Sequence, residues 1–597
     1  MVKADERMDK LPSLLRWVPW PQMEHLLRLE LGSLTRNAEK AAEAERKNCL
    51  VPSAAMFVFL ILFLGSQALA KNFRYPTPPM GWNSYNYYAC EPTEEIIHHN
   101  AQGLIDTGLA ALGYKIVTTD CGWNAEDRDE QGRLQWNTTL FPSGGKALGE
   151  FIHGLGLDFG LYSGAGYKQC GSEVLPASLG YEEQDAQAFE EWGGDSLKYD
   201  NCYPINGSTM VDYHSEEAIA PTRFQKMADI LESLERNMAY FVCQWGVGYD
   251  VGGWAGAIGN TYRMSNDIYN GWRSIWRITN EIVPYYRHTK PGAFADMDML
   301  IVGLHALSAE EERFHFSMWA INKSPLMLGG PVDPDLAGQA SIDILSNKEI
   351  IAINQDALAK QAQLVRRYTE EEWDLWAGEL SGKRKVIAIA NWRNDTQTVQ
   401  IDPAAAGVAS AESVRDVWAA EDLGPLEGGV QEVTLAGHEM KVWILSDIIE
   451  AAAPASAGYY SAAGNATTTQ ATVVNCGEGE CLPTGQKIGN IAADAVVRFD
   501  GVTASSGGAK LLGVDFINYE TALGTAWDFG SNTRNMTIGV NGGKGKRWAF
   551  PISGGDWYET GRLMVEVDGF VAGENEVVFA AVGDAYAPDL VGFELYG

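Results

Sequence analysis

Between residues 78 and 360 the chain alternates short apolar or β-branched runs with helix-like stretches, and this alternation limits the fold more than any other feature. The runs are GWNSYN (81–86), YKIVTTD (114–120), DFGLYSG (158–164), SLKYDN (196–201), AYFVCQW (239–245), YRMSND (262–267), GAFADMD (292–298) and PLMLGG (325–330). Helical stretches near 94–110, 181–192, 217–236, 270–286 and 308–321 lie among them. Strand–helix repetition of that count predicts an α/β fold, a (β/α)8 TIM barrel over 71–364. Periodicity does not report closure, so a doubly wound open sheet is the alternative.

The texture changes after residue 365. WDLWAGEL, KRKVIAIANW, QTVQI and MKVWIL are short strands without helices between them, which predicts an antiparallel β domain over 365–448. Residues 449–470 are rich in Ala, Ser, Thr and Gly, the composition of a flexible linker. From 471 to 597, strands such as NMTIGVNG, RLMVEVDG and NEVVFAAVG recur between Gly/Asn turns, as in a β-sandwich.

At the other end, the run MFVFLILFLG (56–65) follows Arg46 and Lys47 and leads to Ala68-Leu69-Ala70. A basic flank, a short apolar core and an A-x-A ending predict a signal peptide over 55–70, cleaved after Ala70. The run is shorter than the roughly 20 residues of a spanning helix, so no stable membrane association is expected after cleavage. Residues 1–54 form an atypical charged, helix-prone extension with no assigned function. The expectation is a secreted, extracellular protein. Its formal charge of −33 excludes nucleic acid and anionic membrane surfaces as partners, since both would be repelled.

Export predicts disulfides. Cys90, Cys121, Cys170, Cys202, Cys243, Cys476 and Cys481 follow the signal, and an odd number leaves at least one free thiol. Cys476 and Cys481 are close enough to staple a small loop. Asn-x-Ser/Thr sites occur at Asn137, Asn206, Asn322, Asn394, Asn465 and Asn535, and all but Asn322 are taken as glycosylation candidates.

Chemistry is expected where the barrel strands end. Asp120, Asp200, Asp267 and Asp298 stand at such ends, with Asp296 nearby, and Lys198 and Arg263 are adjacent cations. One such carboxylate reads as a helix cap; four converging on one face with two cations read as a site. Glycoside hydrolysis needs two carboxyl groups across the scissile bond and an aromatic wall for the sugar, for which Trp82, Trp123 and Trp245 are candidates. Metal catalysis is less well supported, because His98 and His99 are neighbours on a helix and point apart. Gly144-Gly145-Lys146 lacks the frame of a phosphate loop.

The motifs PPMGWNSYN (78–86), TDCGW (119–123), KYDNCY (198–203), CQWG (243–246), RMSND (263–267), DMDML (296–300) and NKEIIAINQDALAKQ (347–361) together resemble glycoside hydrolase family 27, the eukaryotic-type α-galactosidases. The resemblance spans roughly 72–448. It implies a retaining exo-glycosidase that removes terminal α-D-galactose from oligosaccharides or galactomannan, with no cofactor for the chemistry. It also implies that Asp200 is the nucleophile and Asp267 the acid/base, and that Trp82, Asp120, Tyr162, Lys198, Cys243, Gln244, Trp245, Arg263 and Asp298 bind substrate. The disulfides it implies are Cys90–Cys121 and Cys170–Cys202, leaving Cys243 free beside the pocket.

Those roles make physical demands. Lys198 and Arg263 are expected to hold Asp200 ionised. Asp267 is expected to be buried beside other carboxylates, which would raise its pKa. A retaining mechanism expects the two carboxyl groups to lie about 5–5.5 Å apart.

The sequence departs from the family at Thr119, where a second consecutive aspartate is usual, and at the inserted Gly122. If the missing carboxylate holds the sugar's C6 hydroxyl, β-L-arabinopyranosidase activity is the alternative. A catalytically silent sugar-binding protein is a third reading, against which the presence of both Asp200 and Asp267 argues. The C-terminal region resembles carbohydrate-binding module family 35 in its strand–turn pattern and in SGGDWYE and YAPDLVGFELYG. That resemblance implies a structural calcium, with Asp589 as ligand.

Overall fold

A computed structural model describes residues 74–207, 217, 221–246, 250–521 and 530–597. The N-terminal extension and the signal segment lie outside the described residues. Among the described residues, no helix is long and apolar enough to cross a membrane.

Eight parallel strands form one sheet: β1 (Met80–Asn83), β2 (Ile116–Thr118), β3 (Asp158–Gly164), β4 (Ser196–Asp200), β5 (Ala239–Cys243), β6 (Thr261–Arg263), β7 (Phe294–Asp296) and β8 (Leu326–Leu328). They follow one another in sequence order around the sheet, and β8 pairs with β1. Closure runs through the segment after β7. The Leu300 amide donates to the Met327 carbonyl at 2.7 Å, and Gly329 donates to Leu300 at 2.9 Å. The sheet is therefore a barrel, not an open doubly wound sheet.

The strands are covered on both faces, which is why Ala239-Tyr240-Phe241-Val242-Cys243 reads as a continuous apolar run. Major covering helices are α1 (Glu94–Asp106), α2 (Gly144–Gly154), α3 (Glu182–Glu191), α4 (Thr222–Ser233), α5 (Trp272–Ile282) and α6 (Ala309–Ile321). Of these, α2 was not anticipated, because it opens on two glycines that disfavour a helix by propensity. α6 begins with a full capping box, Ser308 with Glu311.

The antiparallel domain begins with β9 (Gln363–Tyr368), which pairs with Trp373–Leu380. Its principal sheet packs on a shorter two-stranded sheet around Trp373, Leu375, Ile387, Ile389 and Trp443. The C-terminal region is a β-sandwich of a six-stranded and a five-stranded antiparallel sheet. Its core includes Phe499, Phe516, Trp548, Phe579 and Phe593.

One expectation fails here. Residues 449–470 are not a free linker: Ser456–Ser461 pairs with Asp589–Tyr596, and Ala466–Thr469 pairs with Val496–Phe499. Thr and Tyr in that stretch are good strand formers, and the sandwich supplies the partner strands that composition does not reveal. Asp589, expected as a calcium ligand, is paired in this structure with the Lys487 ammonium, which lies 2.8 Å from its carboxylate. No group of three His, Cys, Asp or Glu arranged for a metal occurs among the described residues.

The sandwich is docked on the rest of the molecule. Arg367 of β9 is buried and forms a bidentate pair with Asp374 at 2.9 and 2.7 Å. Its Nη1 also donates to Asn280 Oδ1 of α5 at 2.6 Å and to the Ala549 carbonyl of the sandwich at 3.3 Å. One guanidinium thus joins all three domains. Replacing it (Arg367→Met) strands the Asp374 charge in the interior, and should destabilise the protein by about 3–5 kcal/mol, read as a lower urea midpoint. An unchanged midpoint would mean that water reaches Asp374.

Candidate active site

Strand register builds the site. Side chains alternate along a strand, so Lys198 and Asp200 share the inner face of β4, while Tyr199 points outward and meets Phe224 of α4 edge-on. Pairing aligns Tyr162, Lys198 and Phe241 in one row and Gly164, Asp200 and Cys243 in the next. Arg263 ends β6 opposite Asp296, which ends β7.

Asp120 follows β2. One of its carboxylate oxygens accepts from Lys198 Nζ at 2.8 Å and from Asn83 Nδ2 at 2.7 Å, and the other from the Cys121 amide at 2.9 Å. Asp200 accepts from the Tyr162 hydroxyl at 3.1 Å and from the Asn201 amide at 3.0 Å. Arg263 pairs with Asp298 at 2.9 Å through Nη1 and with Asp267 through Nη2. Asp298 also accepts from the amides of Ile268 and Met299, both at 2.7 Å. Asp298 and Trp245 have φ of 76° and 72°, a strained conformation for such residues and one that clusters at functional sites.

Disulfides fix the loops that carry the carboxylates. Cys121, next to Asp120, is bonded to Cys90, and Cys202, two residues beyond Asp200, is bonded to Cys170. Cys476–Cys481 is also formed, and Cys243 is the free cysteine among the described residues. Gly122 is required where it stands: its φ is +89°, and a Cβ there would lie 2.1 Å from the Cys90 carbonyl.

The electrostatics differ from expectation in two respects. Burial raises the pKa of Asp200, and the Asp267 and Asp120 charges add to the rise, while Lys198 and Arg263 oppose it. The cations reduce the shift without cancelling it, because the direct partners of Lys198 and Arg263 are the other aspartates. Asp267 is not buried; 43 % of its side chain is exposed. Asp296 is raised to about 6 by burial, and the Cys243 thiol is pushed up by burial and by Asp200.

Asp120, Tyr162, Lys198, Asp200, Cys243, Arg263, Asp267 and Asp298 form this cluster. Trp82 lies wholly in the core with its Nε1 donating to the Gly330 carbonyl, and Gln244 is fully buried. Trp245 is 4 % exposed. Trp123 is not part of an aromatic wall: it packs against Trp136 and Trp192 behind β3. Sequence reasoning passed over Asn83 and Tyr85. The Tyr85 ring lies 5.6 Å from Lys198 Nζ, and Asp267, Asp120 and Asp200 all act on its hydroxyl. Both residues sit inside the PPMGWNSYN motif, which is the sequence signal for them. Among the sequons, Asn206, Asn394 and Asn465 are exposed, Asn137 and Asn535 are half-buried, and Asn322 is buried.

Comparison with known proteins agrees with this geometry. The family profile described as Alpha galactosidase A matches residues 77–356, and that described as Alpha galactosidase C-terminal beta sandwich domain matches 370–445. A protein named "Probable alpha-galactosidase D" from Aspergillus fumigatus is 36% identical over 617 residues, covering 86% of this chain and 95% of the relative. The crystal structure of α-galactosidase I from Mortierella vinacea superposes with a TM-score of 0.59 at 31% identity, covering 64% of this chain and all of that one. An α-galactosidase from Saccharomyces cerevisiae solved with raffinose gives 0.56 at 25% identity, covering 63% and 98%.

A glycosidase nucleophile must be ionised in the free enzyme, so with Asp200 in the role expected of it kcat/KM should fall at acid pH as it takes up its proton. Lys198 lowers the pKa of Asp200; without it the pKa rises further. In Lys198→Met the acid limb of kcat/KM should therefore move to higher pH. A limb that stays in place would show that the Lys198 charge is spent on Asp120 alone.

Proposed function

The chain belongs to the α-galactosidases of glycoside hydrolase family 27, and from that premise we propose how its residues hydrolyse terminal α-D-galactosides. The observation that carries the proposal is the pairing of a buried Asp200, held by neutral donors, with a half-exposed Asp267 whose partner is Arg263. Asp200 attacks the anomeric carbon from the β face, and Asp267 protonates the departing aglycone oxygen. Asp267 then deprotonates water, which displaces Asp200 and regenerates the α-anomer, so configuration is retained. Asp120, Lys198 and Asp298 present charged groups to the sugar hydroxyls, and Tyr85 lies beside them. No step calls for a cofactor.

Substrates are galactosyl oligosaccharides of the raffinose type and galactomannan side chains, a reading supported by the yeast relative solved with raffinose. Three disulfides among the described residues support an oxidising, extracellular destination, reached through the signal segment at 55–70. Thr119 is fully buried and its hydroxyl has no hydrogen-bond partner among the described residues.

Two measurements test these assignments. Hydrolysis of p-nitrophenyl α-D-galactopyranoside should exceed that of the β-L-arabinopyranoside, and the reverse order would transfer the substrate assignment. Asp267→Ala should lower turnover by about 10²–10⁴-fold, and Asp200→Ala by at least as much. Added azide should then yield β-galactosyl azide with Asp200→Ala and α-galactosyl azide with Asp267→Ala. The same anomer from both variants would refute the assigned roles.

A further inference from the structure

α5 is unusual for a barrel helix, because several polar residues of its C-terminal half are fully buried. Arg277, Asn280 and Glu281 expose 0 %, 0 % and 2 % of their surface. A barrel helix ordinarily turns such residues to water. Here the sandwich covers them. The Asn280 Nδ2 donates to the Ser531 carbonyl at 3.1 Å, and Ile552 donates its amide to the Asn280 carbonyl at 3.1 Å. Farther along the same interface, Arg287 donates to the carbonyls of Ser553 and Thr560 and pairs with Glu559.

The innermost contact is made by Asn532, which sits at a turn with φ of 55°, a conformation that asparagine tolerates well. Its Nδ2 donates to Glu281 Oε2 at 2.8 Å and to the Arg277 carbonyl at 3.0 Å. One turn earlier on α5, the Arg277 side chain reaches the loop after β6. Its Nη2 donates to the carbonyl of Asp267 at 2.8 Å, and its Nη1 to Asn266 Oδ1. A continuous chain of packed polar groups thus runs from the sandwich to the backbone of the acid/base residue.

We propose that Asn532 is a positioning residue for catalysis: by anchoring Glu281 and the Arg277 backbone, the C-terminal sandwich fixes the loop that carries Asp267. The inference rests on the acid/base role of Asp267. The Asp267 side chain is itself half-exposed, with Arg263 as its ion-pair partner. Burial raises Glu281 to about 8 and lowers Arg277, so neither partner is secure alone; a neutral amide donor satisfies Glu281 in either protonation state. The sandwich on this reading is a working part of the hydrolase as well as an appended domain.

The defect expected on losing Asn532 is specific to proton donation. A poor leaving group needs a well-placed acid, whereas a dinitrophenolate departs without one. Asn532→Gly removes the amide and keeps the backbone conformation accessible. It should lower kcat/KM for methyl α-D-galactoside by roughly tenfold, the effect of losing the two buried hydrogen bonds of one amide in the chain. The value for 2,4-dinitrophenyl α-D-galactoside should stay within about twofold, which also reports an intact fold and pocket. Lys546→Ala breaks a more exposed pair with Glu371, where the sandwich meets the antiparallel domain instead of α5, and should change neither substrate's value nor their ratio. Equal losses on both substrates, or no loss on either, would overturn the inference. Asp267→Ala measured in parallel separates the two readings. If it shows no dependence on the leaving group, the acid assignment falls and takes the inference with it; if it shows that dependence and Asn532→Gly does not, only the inference falls.

Discussion

Two buried cations make this carboxylate-rich barrel end possible. Lys198 is bonded to Asp120, and Arg263 spans Asp298 and Asp267. A carboxylate taken out of water without a partner is expensive, and a cluster of them repels itself as well. Lys198 and Arg263 offset that expense at Asp120 and at Asp298 with Asp267. Asp200 stands outside those pairs, and its own hydrogen bonds come from a phenol and a backbone amide. An anion with neutral donors keeps more of its charge available for attack than one locked in a salt bridge, and the accompanying rise in its pKa follows from the same arrangement.

The two-residue period of a strand turns this balance into a property of one short sequence. In KYD, the lysine and the aspartate necessarily share a face, so the residue that restrains the pKa of Asp200 stands beneath it on the same strand. The parallel register then brings Tyr162 and Cys243 alongside without any loop adjustment. Loops supply what strands cannot. Asp298 is strained into a left-handed conformation, and Asp267 hangs from a loop held by Arg263 and Arg277.

These origins explain what could be read from the sequence. All eight barrel strands were legible, because buried parallel strands carry apolar runs, and some end at conspicuous charged residues such as Asp200, Arg263 and Asp296. The helix at 144–154 was not, because its Gly-Gly-Lys opening imitates a loop. Trp123 looked like a sugar platform because an indole near a motif is equally suited to a core, and only packing against Trp136 and Trp192 distinguishes the two. Asp267 was expected to be buried because its role demands proton exchange; burial, however, is a property of the surrounding loops, which no local pattern encodes. Residues 449–470 misled for a similar reason: small and hydroxylated residues suit a linker, and equally an edge strand whose partners lie more than a hundred residues away.

The polar face of α5 is the clearest case of a local rule overridden by tertiary structure. Read alone, WRSIWRITNEI is an amphipathic helix with Arg277, Asn280 and Glu281 turned to solvent. Instead, each finds a partner on another domain or on the catalytic loop, and the face becomes an interface. Buried polar groups are tolerated only when satisfied, so this face and the sandwich depend on each other. A module on a flexible tether would leave α5 with a polar surface designed for water. Here the surface is designed for Asn532 and Arg367, whose hydrogen bonds would have no counterpart in a barrel standing alone. Dependence of that kind separates a third structural layer of a hydrolase from a detachable binding domain.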